Sequence, residues 1–95
     1  MKLVWLSRAI ANRDALIDHI AQENLKAAIE QDNRIDMHTD QLVSNPELGR
    51  AGRKHGTREL VIGRTSFIVV YRIKAKRIEV LRILHTSQAW PAQES

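Results

Sequence analysis

The carboxyl-terminal third of the chain, residues 56–91, constrains the fold more than any other stretch. It contains three short apolar runs, residues 60–62, 67–73 and 78–84, separated by polar breaks that hold glycine or lysine. Runs of this length, rich in Val, Ile, Phe and Tyr and bounded by turn residues, are typical of antiparallel strands joined by hairpins. The breaks are too short for the crossover that a parallel pair needs. The sequence therefore predicts a three-stranded antiparallel meander.

The first half of the chain predicts one short strand and two helices. Residues 2–6 form an apolar run that is expected to pair with the meander as a first strand. Ser7 is expected to be the N-cap of a helix over residues 8–23. A second helix is predicted over residues 25–43, after the interruption at Asn24. The apolar stripes of the two helices are Ile10, Leu16, Ile17 and Ile20 in the first, and Ala28, Ile35 and Leu42 in the second.

The order of these elements defines the expected architecture. Asn45-Pro46 should end the second helix, because the residue before a proline is disfavoured in helical conformation. Residues 47–56 hold three of the four glycines together with several basic side chains, and are interpreted as a mobile loop. The predicted class is α+β, with two layers in one domain spanning residues 1–95: an N-terminal strand, a helical hairpin over one sheet face, and the meander.

Composition excludes several classes of function. There is no cysteine, so neither a disulfide framework nor a thiolate metal site is expected. The four histidines fall in separate elements without metal-ligand spacing, and no cofactor-binding motif occurs. They are His19, His38, His55 and His85. No apolar run approaches the roughly 18 residues of a membrane span, and no signal peptide is recognisable, which favours a cytoplasmic protein without membrane partners.

Charge is distributed unevenly along the chain. Residues 1–47 contain five Lys and Arg against eight Asp and Glu, whereas residues 48–95 contain ten against three, consistent with the overall charge of +4. A strongly basic second half indicates an anionic partner, either nucleic acid or an acidic protein segment. Its two carboxylates within the strands, Glu59 and Glu79, lie among arginines, and cross-strand ion pairs explain them at least as well as catalysis does.

Strict alternation along the strands predicts which side chains share a sheet face. It places Phe67, Val69, Tyr71 and Ile73 on one face of their strand, opposite Ile68, Val70 and Arg72. In the last strand it groups Ile78, Val80, Arg82 and Leu84 against Leu81, Ile83 and His85. Both sheet faces are then largely apolar. Because the helices can cover only one face, an obligate partner is expected over the other.

Several segments together resemble a known family. They are GTRELVI (56–62), FIVVYRI (67–73), IEVLRILHTSQAWP (78–91), NPELGRAG (45–52) and the early Trp5. In this combination and order they are similar to the RelE/ParE toxin superfamily, the toxin halves of bacterial type II toxin–antitoxin modules. The resemblance covers nearly the whole chain. It implies a toxin that arrests growth and forms a heteromeric complex with a cognate antitoxin.

The superfamily contains two mechanisms, and this sequence favours one. RelE-like members cleave messenger RNA on the ribosome without metal, whereas ParE-like members inhibit DNA gyrase and are not known as nucleases. The positions corresponding to the basic catalytic residues of RelE hold Ile68, Glu59 and Val61, which cannot stabilise a phosphorane-like transition state. The ParE-like branch and gyrase inhibition are therefore favoured over an enzyme. The alternative is a ribonuclease with a minimal site of His85, Arg82 and Arg72, and a member that has lost toxicity also stays open.

The resemblance also implies particular contacts. An antitoxin of this kind has a DNA-binding N-terminal domain and a C-terminal segment that folds on the toxin, which is expected near Leu16, Ile17 and Ile20. The residues expected to contact gyrase are Arg82, His85, Gln88 and Trp90. A basic loop is expected to contribute where gyrase holds DNA, through phosphate charge alone. Its residues are Arg50, Arg53, Lys54 and Arg58.

Overall fold

The computed structural model describes residues 1–88 and Trp90. A strand is followed by two helices and then by further strands that join the first in one sheet. This arrangement confirms the predicted α+β class. The elements are β1 (Lys2–Trp5), α1 (Ser7–Glu23), α2 (Leu25–Asp40), a 3-10 turn (Gln41–Val43), β2 (Arg50–Ala51), β3 (Arg58–Val61), β4 (Phe67–Lys74) and β5 (Arg77–His85).

The sheet has five strands in the order β1-β5-β4-β3-β2. Strands β3, β4 and β5 form the predicted antiparallel meander, and β1 pairs with β5 in parallel. The short strand β2 pairs antiparallel with β3, so that Arg50 lies opposite Glu59. Two residues of the segment 47–56, which was interpreted as a loop, thus form a strand that extends the sheet.

The helix ends differ in part from expectation. Helix α1 begins at Ser7 itself, Leu6 occupies the N-cap position, and no side chain caps this end, so the prediction of Ser7 as N-cap was wrong. Asn24 caps α2 instead, since its side-chain oxygen accepts a hydrogen bond from the backbone N–H of Ala27 at 3.0 Å. The buried stripe Ala28, Ile35 and Leu42 is confirmed.

The core lies between the helical hairpin and one face of the sheet. On the sheet side it is formed by alternate residues of β3, β4 and β5, and on the helical side by residues of α1, α2 and the 3-10 turn. The buried cluster consists of Ala9, Ile35, Leu42, Leu60, Ile62, Phe67, Val69, Tyr71, Ile78, Val80 and Ile83, with Leu3, Trp5, Leu16, Ile17 and Ile20 packed against it.

A β-bulge in β5 changes which side chains face the helices. Tyr71 lies opposite Val80 while its neighbour Val70 lies opposite Arg82, so Leu81 is the extra residue. A bulge of one residue reverses the alternation beyond it. Ile83 consequently enters the core, and Arg82 moves to the face that carries no helix. The predicted grouping of Arg82 and Leu84 with Ile78 and Val80 was wrong for this reason.

Several apolar residues on the helix-free face of the sheet are buried, whereas Val61, which pairs with Ile68, is 49% exposed. Ile68, Val70 and Leu84 on this face are 5%, 0% and 0% exposed. The segment after β2 reaches over the face, where the backbone N–H of Arg53 donates to Glu59. The expectation that this face exposes a largely apolar surface for a partner to cover was therefore wrong, since Ile68, Val70 and Leu84 are buried. What it presents to solvent is determined by its charged side chains.

Candidate functional site, a basic pocket around Trp90

A shallow pocket of about 260 Å³ lies on the helix-free side of the sheet. Cations and apolar side chains line it together: Leu6, Arg8, Lys54, Arg72, Leu81, Arg82 and Trp90. Two of the cations approach the indole ring of Trp90. The guanidinium carbon of Arg82 is 5.4 Å from the ring centroid, and the ammonium nitrogen of Lys54 is 5.9 Å from it. These distances are within the range of cation–π attraction.

Arg82 is held in this pocket by a residue that is distant in sequence. Its Nε donates to the side-chain oxygen of Asn12 in α1 at 2.7 Å, and the same oxygen lies 3.4 Å from the backbone nitrogen of Ile83. Arg82 is only 9% exposed. Burial, together with the nearby charge of Arg8, lowers the pKa of Arg82 from its ordinary value. Asn12 therefore orients a partly desolvated cation toward Trp90.

Arg72, the other strand cation of the pocket, belongs to an ion-pair cluster. Its Nε donates to Glu79 across the β4–β5 pair at 2.6 Å, and Arg77 contacts the second oxygen of Glu79 at 2.7 Å. The hydrogen bond from Arg72, with that from Arg77, lowers the pKa of Glu79 despite its burial. Glu79 thus remains a carboxylate that orders two arginines, as the expected cross-strand ion pair.

Glu59 organises the basic loop in the same manner. It is 1% exposed and accepts hydrogen bonds from the backbone N–H and the Nε of Arg53, at 2.8 and 3.1 Å. Arg50 approaches its other oxygen at 3.4 Å. Burial alone would raise the pKa of Glu59, but the bonds from Arg53 outweigh it and lower the pKa. Arg58 points elsewhere and donates to the carbonyl of Gly49 at 2.8 Å.

The predicted target-contacting residues separate into two groups. Arg82 and Trp90 meet in the pocket, whereas His85 and Gln88 form the turn that follows β5. The Gln88 side chain lies 3.3 Å from the backbone nitrogen of His85, and the Gln88 backbone N–H donates to the His85 carbonyl at 2.9 Å. The imidazole Nδ1 of His85 lies 2.7 Å from the hydroxyl of Ser87.

His85 lines a second cleft, of about 200 Å³, on the helical side of the molecule. The cleft also contains two residues expected to contact the antitoxin, and its lining comprises Leu16, His19, Ile20, Gln31, Ser66, Phe67 and His85. Leu16, Ile17 and Ile20 are half-buried and pack against the core of the chain itself. The surface they offer to another molecule is therefore the rim of this cleft rather than a fully exposed stripe.

The structure does not bring together the three residues of the alternative ribonuclease site. Arg72 and Arg82 share the pocket around Trp90, and His85 lies opposite Phe67 on the core side of β5, in the other cleft. A general acid or base must lie within about 3 Å of the proton that it transfers, or one water further. The cations and the imidazole are thus on opposite faces of the same strand pair.

Sequence reasoning missed three lining residues of the pocket, Leu6, Arg8 and Leu81, and also Asn12, which holds Arg82. Leu6 follows β1, and Arg8 and Asn12 lie in the first turns of α1, some 70 positions from Arg82, and no motif links them to it. Only the parallel pairing of β1 with β5 predicts that this part of α1 lies beside the end of β5. In the described part of the chain, neither helix combines the length and apolarity needed to cross a membrane.

Fold and site together define a small α+β domain with a pocket lined by cations and a tryptophan. Comparison with known proteins then identifies the family. The model of the ParE toxin of the parDE type II toxin–antitoxin system matches residues 3–90. The chain belongs to this family of toxins, and an antitoxin is accordingly its cognate partner.

Individual relatives agree with this assignment. The chain is 34% identical over 90 residues to Y4kP of Sinorhizobium fredii (strain NBRC 101917 / NGR234), a protein with a provisional toxin name, covering 95% of this chain and 93% of that protein. It also resembles a solved chain of the chromosomal ParDE toxin–antitoxin system from P. aeruginosa. That match has a TM-score of 0.81 and 32% identity, and it covers 90% of this chain and 95% of the other.

Proposed function

We propose that this toxin inhibits DNA gyrase and that its antitoxin neutralises it by occupying the toxin surface. The observation that carries this proposal is the separation of His85 from Arg72 and Arg82 on opposite faces of the sheet. Cleavage of RNA without metal needs cations at the developing phosphorane charge and an acid or base beside the reacting hydroxyl. The separation argues against a nuclease, and membership in the ParE family supports gyrase as the target.

The pocket around Trp90 is the surface proposed to contact gyrase. A half-buried tryptophan flanked by arginine and lysine has the composition of an interface hot spot, in which a few aromatic and arginine side chains carry most of the binding energy. Asn12 and the bulge at Leu81 hold Arg82 in place before binding, so little side-chain entropy is lost on association. His85 and Gln88 are proposed to contribute only through the shape of the neighbouring turn.

The helical-side cleft is the surface proposed for the antitoxin. Leu16, Ile20 and Phe67 form its apolar part, and it is bordered by both helices of the hairpin and by His85 at the end of β5. A segment that folds on binding can insert apolar side chains into such a groove at helical spacing. The antitoxin is further proposed to have a DNA-binding N-terminal domain. Its C-terminal segment would then hold the toxin in a heteromeric complex.

Supercoiling of relaxed plasmid by purified gyrase tests the target. Toxin released from its antitoxin and refolded should inhibit supercoiling and stabilise cleaved DNA. The variants Arg82→Ala and Trp90→Ala should each raise the concentration for half inhibition by on the order of 10-fold or more, the cost typical of hot-spot truncation. Lys26→Ala is the matched control, because it removes an exposed cation from α2, on the other layer of the molecule, and should inhibit like the parent chain.

Two results would contradict the proposal. The first is a folded, antitoxin-binding toxin that leaves supercoiling unchanged at every concentration tested. The second is cleavage of ribosome-bound messenger RNA by the parent chain, if the variant His85→Ala abolishes this cleavage. That result would favour the RelE-like mechanism.

The antitoxin surface is tested in the same supercoiling assay. Readdition of the antitoxin should restore supercoiling, and truncation of Leu16 and Ile20 to alanine should raise the antitoxin concentration that is needed.

A further inference from the structure

Three cations form a row across the helix-free face of the sheet. Strand register places Lys2 of β1 beside Arg77 of β5, and Arg77 beside Lys74 of β4. Paired residues on adjacent strands point to the same face, and neighbouring strands are about 4.8 Å apart. The row therefore spans roughly 10 Å, perpendicular to the strands. All three residues are exposed.

The same face carries further cations beyond this row. Arg72 lies two residues before Lys74 in β4 and so points to the same face. The bulge brings Arg82 onto this face as well, near the other end of β5. Lys54 joins Arg72 and Arg82 at the pocket around Trp90. The positive charge thus continues from the edge at β1 and the β4–β5 turn to the loop after β2. Without the bulge, Arg82 would point into the core face and the charge would be interrupted.

The carboxylates of the strands do not cancel this charge. Glu59 and Glu79 are the acidic residues of the five strands, and they are 1% and 3% exposed. Each is contacted by two arginines: Arg50 and Arg53 around Glu59, Arg72 and Arg77 around Glu79. Each cluster has one more cation than anion. Solvent therefore meets guanidinium and ammonium groups rather than carboxylates on this face.

The chemistry of the face distinguishes between the anionic partners it could bind. A protein segment that folds on a surface uses apolar anchors. On this face Ile68, Val70 and Leu84 are already buried, and the exposed Val61 lies on β3, away from the row of cations on β1, β5 and β4. Single-stranded nucleic acid binds to exposed aromatic stacking platforms, whereas Trp90 is half-buried, and Arg82 and Lys54 already contact its ring. Lys and Arg side chains are donors without acceptors, which suits phosphate oxygens. A duplex backbone is the partner that needs only such donors.

The opposite layer of the molecule is acidic, which affects how the molecule approaches a polyanion. The helical hairpin contains most of the acidic residues of the chain: Asp14, Asp18, Glu23, Glu30, Asp32, Asp36 and Asp40. A molecule with an acidic helical layer and a basic sheet face is oriented by a polyanion so that the sheet approaches it first. The helical layer and its cleft then remain turned away from the polyanion.

We propose that the helix-free face of the sheet binds the phosphate backbone of duplex DNA directly and without reading its sequence. This goes beyond gyrase inhibition, because it is a property of the toxin alone. During inhibition of gyrase, which also holds duplex DNA, the same face would contact the DNA while Trp90 and Arg82 contact the enzyme. Direct DNA contact thus involves Lys2 and Lys74 first, because neither is held by Glu59 or Glu79, while Arg77 keeps its contact with Glu79 and adds charge to the row.

Fluorescence anisotropy of a labelled 20-base-pair duplex of arbitrary sequence tests the proposal, with the full-chain toxin and no gyrase. Dissociation constants of about 10⁻⁶ to 10⁻⁴ M at physiological salt are expected for backbone binding. The double variant K2Q/K74Q should weaken binding and reduce the slope of log affinity against log salt by about 2, since each phosphate contact contributes about 0.9. The control K26Q/R34Q removes the same charge from α2 and should retain the slope of the parent chain.

Other results would overturn the proposal. Absence of binding at 50 mM salt would do so, as would equal loss of slope in K2Q/K74Q and K26Q/R34Q, because the attraction would then be due to net charge and not to this face. Displacement of the duplex by an equal concentration of an acidic peptide would assign the face to a protein partner instead. Preferred binding of single-stranded DNA or duplex RNA would also contradict it. Since gyrase is absent, none of these failures bears on gyrase inhibition.

Discussion

Arg72 and Glu79 face each other across the β4–β5 pair, and the guanidinium Nε of Arg72 donates to the Glu79 carboxylate at 2.6 Å. Glu79 is almost wholly removed from solvent, and Arg77 contacts its second oxygen. Glu59 has the same relation to Arg53, in the loop after β2, and to Arg50, in β2 itself. The helix-free face is thus built on two buried carboxylates that must remain charged for their arginines to stay in place.

The first prediction concerns the pH dependence of stability. The pKa values of Glu59 and Glu79 are both lowered from the ordinary value of 4.5. For Glu79 the main cause is the hydrogen bond from Arg72. For Glu59 burial raises the pKa, but the hydrogen bonds from Arg53 outweigh this effect. The unfolded chain therefore binds these protons at higher pH than the folded chain does. Their contribution to the free energy of unfolding is complete above the ordinary pKa and is lost as pH falls through the lower, folded-state pKa.

Urea unfolding followed by tryptophan fluorescence at a series of pH values measures this effect. Protonation of Glu59 and Glu79 should change the urea midpoint of unfolding little between pH 7 and pH 5. The midpoint should fall steeply below about pH 4.5, as these two groups take up protons. The variant Glu79→Gln should be less stable at pH 7 and have a flatter acid limb. Glu30→Gln, at an exposed position of α2, is the control. An acid limb in Glu79→Gln as steep as in the parent chain would contradict the assignment.

The second prediction concerns the Tyr71 hydroxyl, which joins β4 to the segment before β2. It donates to the Pro46 carbonyl at 2.7 Å and accepts from the backbone N–H of Gly49 at 2.9 Å. Tyr71→Phe would leave the buried N–H of Gly49 without a partner, which costs about 1–3 kcal/mol in the free energy of unfolding. Denaturant titration measures it, and a loss below about 0.5 kcal/mol would show that water or movement satisfies these groups.

The local pattern of the sequence was sufficient to predict most of the fold. A hairpin is formed by two segments that are adjacent in the sequence, so a local pattern is enough to predict it. The three strands of the meander could therefore be recognised from their Val, Ile, Phe and Tyr residues between turn residues. The spacing of Ala28, Ile35 and Leu42 likewise indicated the buried stripe of α2. The ion pairs of Glu59 and Glu79 could be anticipated, because a buried carboxylate in a basic strand environment requires a cationic neighbour.

The sequence could not predict the features that depend on register and on distant contacts. The bulge at Leu81 has no residue signature, since Leu81 is neither glycine nor otherwise exceptional, yet it decides that Arg82 leaves the core face. Strand β2 has two residues, too few for any periodic pattern. The site was therefore predicted in composition but not in arrangement: Arg82 and Trp90 meet, while His85 lies in the other cleft.

The third prediction concerns Arg13, which links the two helices to β1. Its Nε lies 2.7 Å from Asp32, its Nη1 lies 2.8 Å from Asp36, and its guanidinium carbon lies 4.9 Å from the ring centroid of Trp5. Its side chain is 16% exposed, so these interactions are only partly screened. Arg13→Ala should reduce the free energy of unfolding by about 1–3 kcal/mol, as loss of charge-assisted hydrogen bonds does.

Arg13→Lys separates geometry from charge in this network. Lysine keeps the positive charge but cannot donate in two fixed directions while lying over an indole ring, so it should recover less than half of the loss. The matched control is Arg34→Ala in α2. Recovery of full stability by Arg13→Lys in denaturant titration would show that charge alone holds the hairpin, contrary to the geometry described here.

The last prediction concerns Asn12, which acts through Arg82. Asn12→Ala removes the acceptor that orients the Arg82 guanidinium, without touching Trp90 or the charge of the pocket. Arg82 should then leave the indole ring more often, and gyrase inhibition should weaken by a few-fold, less than in Arg82→Ala, because the cation is still present. If Asn12 positions Arg82 against the indole ring, the fluorescence of Trp90, measured in a Trp5→Phe background, should change in Asn12→Ala. A purely structural role would instead lower stability and leave the fluorescence of Trp90 unchanged. Asn12→Asp, which retains an acceptor for Arg82, should restore both the fluorescence and the inhibition, whereas failure to restore either would mean that Asn12 does not position Arg82.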